Sequence, residues 1–174
     1  MGNTDVGVVN YMDLYKALQL GDWKAAEEFL NRHPHAISAK ITVWEKTALH
    51  VAAEAGHVHI VEELVKRMSE EDLEIKDIDG NTALAQAAYY GNYRIAKCML
   101  GKNEKLISIP TYTLEIPVCL ALFNGHLKLA RYLYLLTPLE ILNPENGIFG
   151  SIVVCEAIYS QALGKNLLFV LTTH

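Results

Sequence analysis

Basic residues are too few in this chain for a nucleic-acid binder. Fifteen lysines and arginines face 20 aspartates and glutamates, a formal net charge of −5, whereas a protein that neutralises phosphates carries a basic face. Long apolar runs are missing too. A membrane helix needs roughly 18 consecutive apolar residues, and the best stretch is "NLLFVL" at 166–171. The three cysteines, Cys98, Cys119 and Cys155, are odd in number and without paired spacing. They read as reduced, buried thiols, which excludes a disulfide framework or a zinc knuckle. The opening "MGNTDVGVVN" lacks the basic start and apolar core of a secretory signal. Val6 occupies the Ser/Thr position that myristoylation after Met1-Gly2 would require. No Gly-x-Ser-x-Gly elbow occurs, and two Gly-Lys-Asn triplets (101–103 and 164–166) lack the upstream glycine and following Ser/Thr of a phosphate loop.

What the chain has is apolar content and a period. Hydrophobic residues make up 51% and charged residues 20% of 174 residues, enough for one folded domain with a sizeable core. The segments "LYKALQLGDWKAAEEFL" from Leu14, "LHVAAEAGHVHIVEELV" from Leu49, "LAQAAYYGNYRIAKCML" from Leu84 and "VCLALFNGHLKLARYLY" from Val118 share one frame. An apolar residue stands seven places before a glycine, and a small-plus-apolar pair stands four and three places before it. An apolar pair follows four and five places after. The glycines are Gly21, Gly56, Gly91 and Gly125, at intervals of 35, 35 and 34. A fixed period in this range means stacked supersecondary units.

The frame has a physical reading. Leu49, Ala52 and Ala53 share a face of a short helix, and the alanines admit a close neighbour. Gly56 closes that helix in the left-handed conformation. Asp22, His57, Asn92 and His126, each just after a glycine, are placed to cap a second helix. That helix buries Ile60, Val61, Leu64 and Val65 in the second copy and Ile95, Ala96, Met99 and Leu100 in the third. Between copies, "KDIDGNTAL" (76–84) places Asp79-Gly80 at a hairpin-like tip, and Thr82 can cap the next helix. Pro34 and Pro110 break any helix in the corresponding segments.

Thr47-Ala48-Leu49-His50, the pair Ala52-Ala53, Gly56-His57 and Ile60-Val61 together resemble an ankyrin repeat. Weaker copies follow at Asn81-Thr82-Ala83-Leu84 with Gly91, and at Pro117 with Gly125-His126. The family's usual proline after threonine is replaced by Ala48 and Ala83, and Ile116 stands for the fourth threonine. The resemblance implies an all-α solenoid of about four repeats over 11–136, a tail at 1–10, and a connector with a degenerate fifth repeat over 137–174. Residues 137–163 also resemble the connector of plant ankyrin proteins of the accelerated-cell-death type, which end in a membrane domain. Ala157-Ile158 would begin the fifth copy, with Gln161 in place of glycine and Lys165-Asn166 where an apolar pair belongs. That resemblance implies a truncated or alternatively spliced product lacking its membrane domain. It would lie in the cytoplasm, or on the cytoplasmic face of the plasma membrane in a longer form.

Two functional readings compete. A metal-dependent enzyme would use His50, His57 and His59, but these straddle a helix-ending glycine and lack His-Glu-x-x-His spacing. His50 beside Thr47 is placed to bond the adjacent turn backbone, His57 begins the second helix, and His59 faces solvent. His33 and His35 flank Pro34 in a turn, and the acidic run Glu70-Glu71-Asp72 reads as a solvated helix end. The other reading is a non-catalytic scaffold, without cofactor or metal, for another protein. The residues before each turn glycine end the first helix and, in an ankyrin stack, line the concave face: Gln19-Leu20, Glu54-Ala55, Tyr89-Tyr90, Phe123-Asn124 and Tyr159-Ser160. Their aromatics are either binding anchors or fold back onto neighbouring turns. Glu54, Tyr89, Tyr90, Phe123 and Asn124, with Trp44 and Asp79 at the tips, are the expected partner-binding residues. Gly21, Thr47, His50, Gly56, Thr82, Gly91 and Gly125 are the expected structural positions.

Overall fold

A computed structural model describes residues 9–142. Helices come in antiparallel pairs set by the glycine frame: α1 (Met12–Leu20) with α2 (Trp23–Arg32), and α3 (Ala48–Glu54) with α4 (Val58–Arg67). A short α5 (Glu70–Leu73) precedes the pair α6 (Ala83–Tyr89) and α7 (Tyr93–Leu100). The pair α8 (Pro117–Phe123) and α9 (Leu127–Leu136) is followed by α10 (Leu139–Leu142). Among the described residues there is no β-sheet, only an isolated antiparallel bridge between Lys40 and Thr47. The architecture is the expected all-α solenoid. The fifth copy, with Cys155, Ala157-Ile158, Tyr159-Ser160 and Gln161, lies outside the described residues, as does most of the tail.

Each pair turns on its glycine. Gly21, Gly56, Gly91 and Gly125 take φ values of 77°, 76°, 73° and 75°, a region where a Cβ is strained. The inner helix α1 keeps a single buried face, with Leu14, Ala17 and Leu18, whereas α3, α6 and α8 are buried nearly all round. All six residues Ala48–Ala53 are buried, because α3 packs on α1, α4 and α6 together. Alanine makes that possible, since bulkier side chains would hold three neighbours apart. The outer helices keep one apolar stripe, with Ile60, Val61, Leu64 and Val65 buried on α4 and Ile95, Ala96, Met99 and Leu100 on α7. Each of these side chains except that of Ala96 contributes about 1.5–3 kcal/mol on burial.

The polar residue after the glycine behaves differently from expectation. Only Asp22 caps its helix, accepting a hydrogen bond from Ala25 N–H at 3.0 Å. His57, Asn92 and His126 instead reach back to the preceding repeat. His57 Nε2 lies 2.9 Å from the Gln19 carbonyl, Asn92 Nδ2 donates to the Ala53 carbonyl at 2.9 Å, and His126 Nε2 lies 2.9 Å from the Tyr89 carbonyl. A carbonyl only accepts, so each imidazole donates. These side chains carry the N–H donor that the Asp22 carboxylate lacks, and they satisfy carbonyls that a helix end leaves orphaned. Asp22 has no described repeat before it to reach. Two further readings are corrected: Pro34 opens a 3-10 turn, Pro34–Ile37, and Cys98 is half-buried, whereas Cys119 is buried.

Thr82 caps α6 by accepting from Ala85 N–H at 3.2 Å. The tips between repeats stack edge to edge, since Ile78 N–H donates to the Trp44 carbonyl at 3.0 Å and Tyr112 N–H to the Asp79 carbonyl at 3.3 Å. Within each tip a side-chain oxygen holds the loop: Thr42 accepts from Lys46 N–H, Asp77 from Asn81 N–H and Thr111 from Glu115 N–H, at 3.1, 2.8 and 3.1 Å.

Candidate partner-binding face

The repeat frame sends the ends of the inner helices and the tips to one side of the stack. At the helix ends Tyr89, Tyr90 and Phe123 remain 49%, 43% and 44% exposed, and Leu20 lies open in the first repeat. At the tips Trp44, Ile78 and Tyr112 are 60%, 50% and 67% exposed. Ile78 and Tyr112 occupy one tip position, filled in the first tip by the exposed Val43, and Trp44 stands where Asp79 does, each accepting from the next tip. Large rings half in solvent contribute little to the core and remain available for contact.

The polar members of this face are engaged within the fold. Tyr89 and Tyr90 meet edge to face at 5.1 Å and 78°. Tyr90 OH donates to Glu54 Oε1 at 3.1 Å, and Glu54 Oε2 pairs with Lys46 Nζ at 2.6 Å. Burial first, and then the Glu54 carboxylate, push the Tyr90 hydroxyl above its ordinary pKa, so it stays a neutral donor. Asn124 Nδ2 donates to the Leu120 carbonyl of its own helix at 2.8 Å, while Asp79 is exposed at its tip. Sequence reasoning named Trp44 and the helix-end aromatics but not Ile78 and Tyr112, although each directly follows a tip residue, Asp77 or Thr111, of the shared frame.

The histidines diverge. His50 is buried, with Nδ1 at 2.8 Å from Thr47 Oγ1 and 3.3 Å from Thr47 N, and Nε2 at 2.9 Å from the Asn81 carbonyl. Thr47 N–H can only donate, so Nδ1 accepts and Nε2–H donates. Burial holds the ring's pKa below its ordinary value, keeping it neutral. Both nitrogens of His50 are therefore in use, tying α3 to the next tip. His57 holds the Gln19 carbonyl. His59 is exposed, its ring set edge-on to Trp23 at 6.5 Å. Among the described residues, no three His, Cys, Asp or Glu side chains are grouped as a metal would need. Nor is any helix there long and apolar enough to cross a membrane.

The mouse protein "Ankyrin repeat and SAM domain-containing protein 6" is 31% identical over 91 residues, which is 52% of this chain and 10% of that protein. Its rat counterpart is 30% identical over 92 residues, with the same shares. The rice "Probable E3 ubiquitin-protein ligase XBOS31" is 29% identical over 115 residues, 66% of this chain and 25% of that protein. The chain thus spans a quarter or less of the length of these curated relatives. The family described as "Ankyrin repeats (3 copies)" matches residues 14–110, the stretch that holds the turns at Gly21, Gly56 and Gly91 and the Ile78–Trp44 tip contact. By that match and by the geometry of its turns, the chain belongs to the ankyrin repeat family.

Proposed function

We propose that this ankyrin stack is a non-catalytic scaffold that binds another protein across its concave face. The observation that carries the reading is the register of exposed apolar side chains: Leu20, Tyr89, Tyr90 and Phe123 at the helix ends, beside Trp44, Ile78 and Tyr112 at the tips. Aromatic rings bury much area for little lost freedom and are enriched among hot spots. Glu54 orients the Tyr90 ring, Asp79 and Asn124 form part of the polar rim, and the repeats over 11–136 form the binding unit. Residues 137–163 resemble the connector of the plant accelerated-cell-death type. That resemblance supports a place in plant defence or stress signalling on the cytoplasmic side of a membrane.

The test is partner capture by purified protein, quantified by mass spectrometry against a variant. Tyr90→Ala with Phe123→Ala should abolish capture with helical content and unfolding midpoint nearly unchanged, since truncating a central anchor costs about 2 kcal/mol or more of affinity. Exchanging Glu63 and Lys66 on the outer helix should leave capture intact. Collapse of the fold in the aromatic variant would make those rings core. Loss of capture in the outer-helix exchange alone would move the binding surface to the convex side.

A further inference from the structure

The outer helices change charge along the stack. Six and seven residues after the turn glycine, the first two repeats carry Glu27-Glu28 and Glu62-Glu63. The third and fourth carry Lys97-Cys98 and Arg131-Tyr132 in the same places. Neither α7 nor α9 contains an acidic residue. With Lys102 just beyond α7, they present Arg94, Lys97, Lys102, Lys128 and Arg131, all exposed. In the second repeat, by contrast, Lys66 pairs with Glu63 at 2.7 Å and Arg67 with Glu27 of the first. None of the five cations is in an ion pair with another described residue. Lys128 lies over the Tyr93 ring, 5.2 Å from its centroid, which leaves its charge on the surface.

The two helices adjoin on the outer side, where the Tyr93 and Tyr132 rings meet at 5.0 Å beside a cleft lined by Lys97 and Leu136. Lys128, Arg131 and Leu135 stand at i, i+3 and i+7 and so share one side of α9. Leu135, Leu136 and, on α10, Leu139 are exposed beside them. Glu62 shares a groove with Arg94, Lys97 and Lys102, and Glu104 lines the cleft between Lys97 and Tyr132, so five cations outnumber two carboxylates there. A chain of net charge −5 therefore carries a local basic face flanked by leucines.

We propose that the outer face of the third and fourth repeats docks on an anionic lipid bilayer. Arg94, Lys97, Lys102, Lys128 and Arg131 would lie at the headgroup phosphates, and Leu135, Leu136 and Leu139 at the boundary with the acyl chains. Cations spread over two adjacent helices match a plane of negative charge. A purely acidic segment supplies charge but no apolar layer for the leucines, whereas a bilayer supplies both over a surface wide enough for two helices. The concave face stays clear of this contact, leaving it open to a protein partner.

Sedimentation of the full chain with vesicles tests this. The chain should bind vesicles of phosphatidylcholine with roughly 30% phosphatidylserine and not phosphatidylcholine alone, and binding should weaken with salt. Lys97→Gln with Arg131→Gln should lower the partition constant about thirtyfold. Arg94→Gln with Lys128→Gln should do the same, so a folding defect in one pair leaves the other informative. Lys16→Gln with Lys24→Gln, in the first repeat, should change little, and Tyr90→Ala with Phe123→Ala should leave vesicle binding intact. No binding to the anionic vesicles, equal binding to both kinds, or equal loss in the first-repeat variant would overturn the proposal. So would capture of polyglutamate without vesicle binding, which would assign the face to an acidic protein.

Discussion

At the turn glycines, two constraints of different origin coincide at some positions and not at others. All four adopt φ near 75°, which costs a residue with a Cβ about 1–2 kcal/mol. At Gly91 a Cβ would also come 2.6 Å from His126 Cγ, whereas at Gly125 nothing lies within 4 Å. Gly91→Ala therefore displaces the His126 ring and its bond to the Tyr89 carbonyl, adding about 1 kcal/mol. We expect Gly91→Ala to lose more stability in urea than Gly125→Ala, and Gly101→Ala, at a position with ordinary φ, to lose least. Equal losses at Gly91 and Gly125 would remove the histidine from the account. The frame of glycines was legible in the sequence because a period needs only residue types. The histidine latch was not, since whether a side chain caps its own helix or crosses to another depends on the distance between repeats. His50 gives the other prediction at this scale. Its folded pKa lies below the ordinary value of about 6.5, so as pH falls through that value the unfolded state takes up a proton first. Stability should be full above about pH 6.5 and decline below it. Replacing His50 by Gln should lower the midpoint at neutral pH and flatten its acid slope. An unchanged slope would show that other groups set it.

The connecting tips obey a rule that residue types conceal. The position of Gly80, at φ 81°, is occupied in the neighbouring tips by Glu45 at φ 59° and Leu114 at φ 65°. Glycine is needed at the middle tip for a second reason, because a Cβ there would lie 2.5 Å from Tyr112 N. Leu114 holds the left-handed conformation with its side chain 47% exposed, so burial offsets only part of the strain. Leu114→Gly should be neutral or raise stability by up to about 1 kcal/mol, while Gly80→Ala should lower it. Thermal unfolding of the two variants checks the pair, and a clear loss in Leu114→Gly would mean that the leucine packs more than its exposure implies. The helices themselves were readable, down to the four buried residues of α4 and of α7, because apolar spacing reports a helical face directly. The exposed tip side chains were less so, since Val43, Ile78 and Tyr112 share one place, Trp44 and Asp79 the next, and the stacked backbone bonds show that register.

Over the whole stack, stability should follow neighbours. Each repeat buries its stripe only against the repeats beside it, so an inner repeat gains two interfaces and an end repeat one. The first repeat is the clearest case among the described residues. Its turn carries Asp22 where the next three carry a latch to the preceding repeat, and an apolar cleft of about 450 Å³ opens beside it, lined by Tyr11, Met12, Tyr15, Ile41, Val43 and Trp44. Amides of α1 and α2 should therefore exchange with solvent faster than those of α3, α4, α6 and α7. Leu64→Ala, at a fully buried site in the second repeat, should cost about 2–5 kcal/mol and speed exchange on both sides. Leu30→Ala, near the end, should cost less and leave α6 and α7 protected. Hydrogen exchange read by mass spectrometry on the intact chain distinguishes this gradient from a single cooperative unit. Equal protection from α1 to α7, with Leu30→Ala lowering all of it, would mean that coupling between repeats exceeds their own differences.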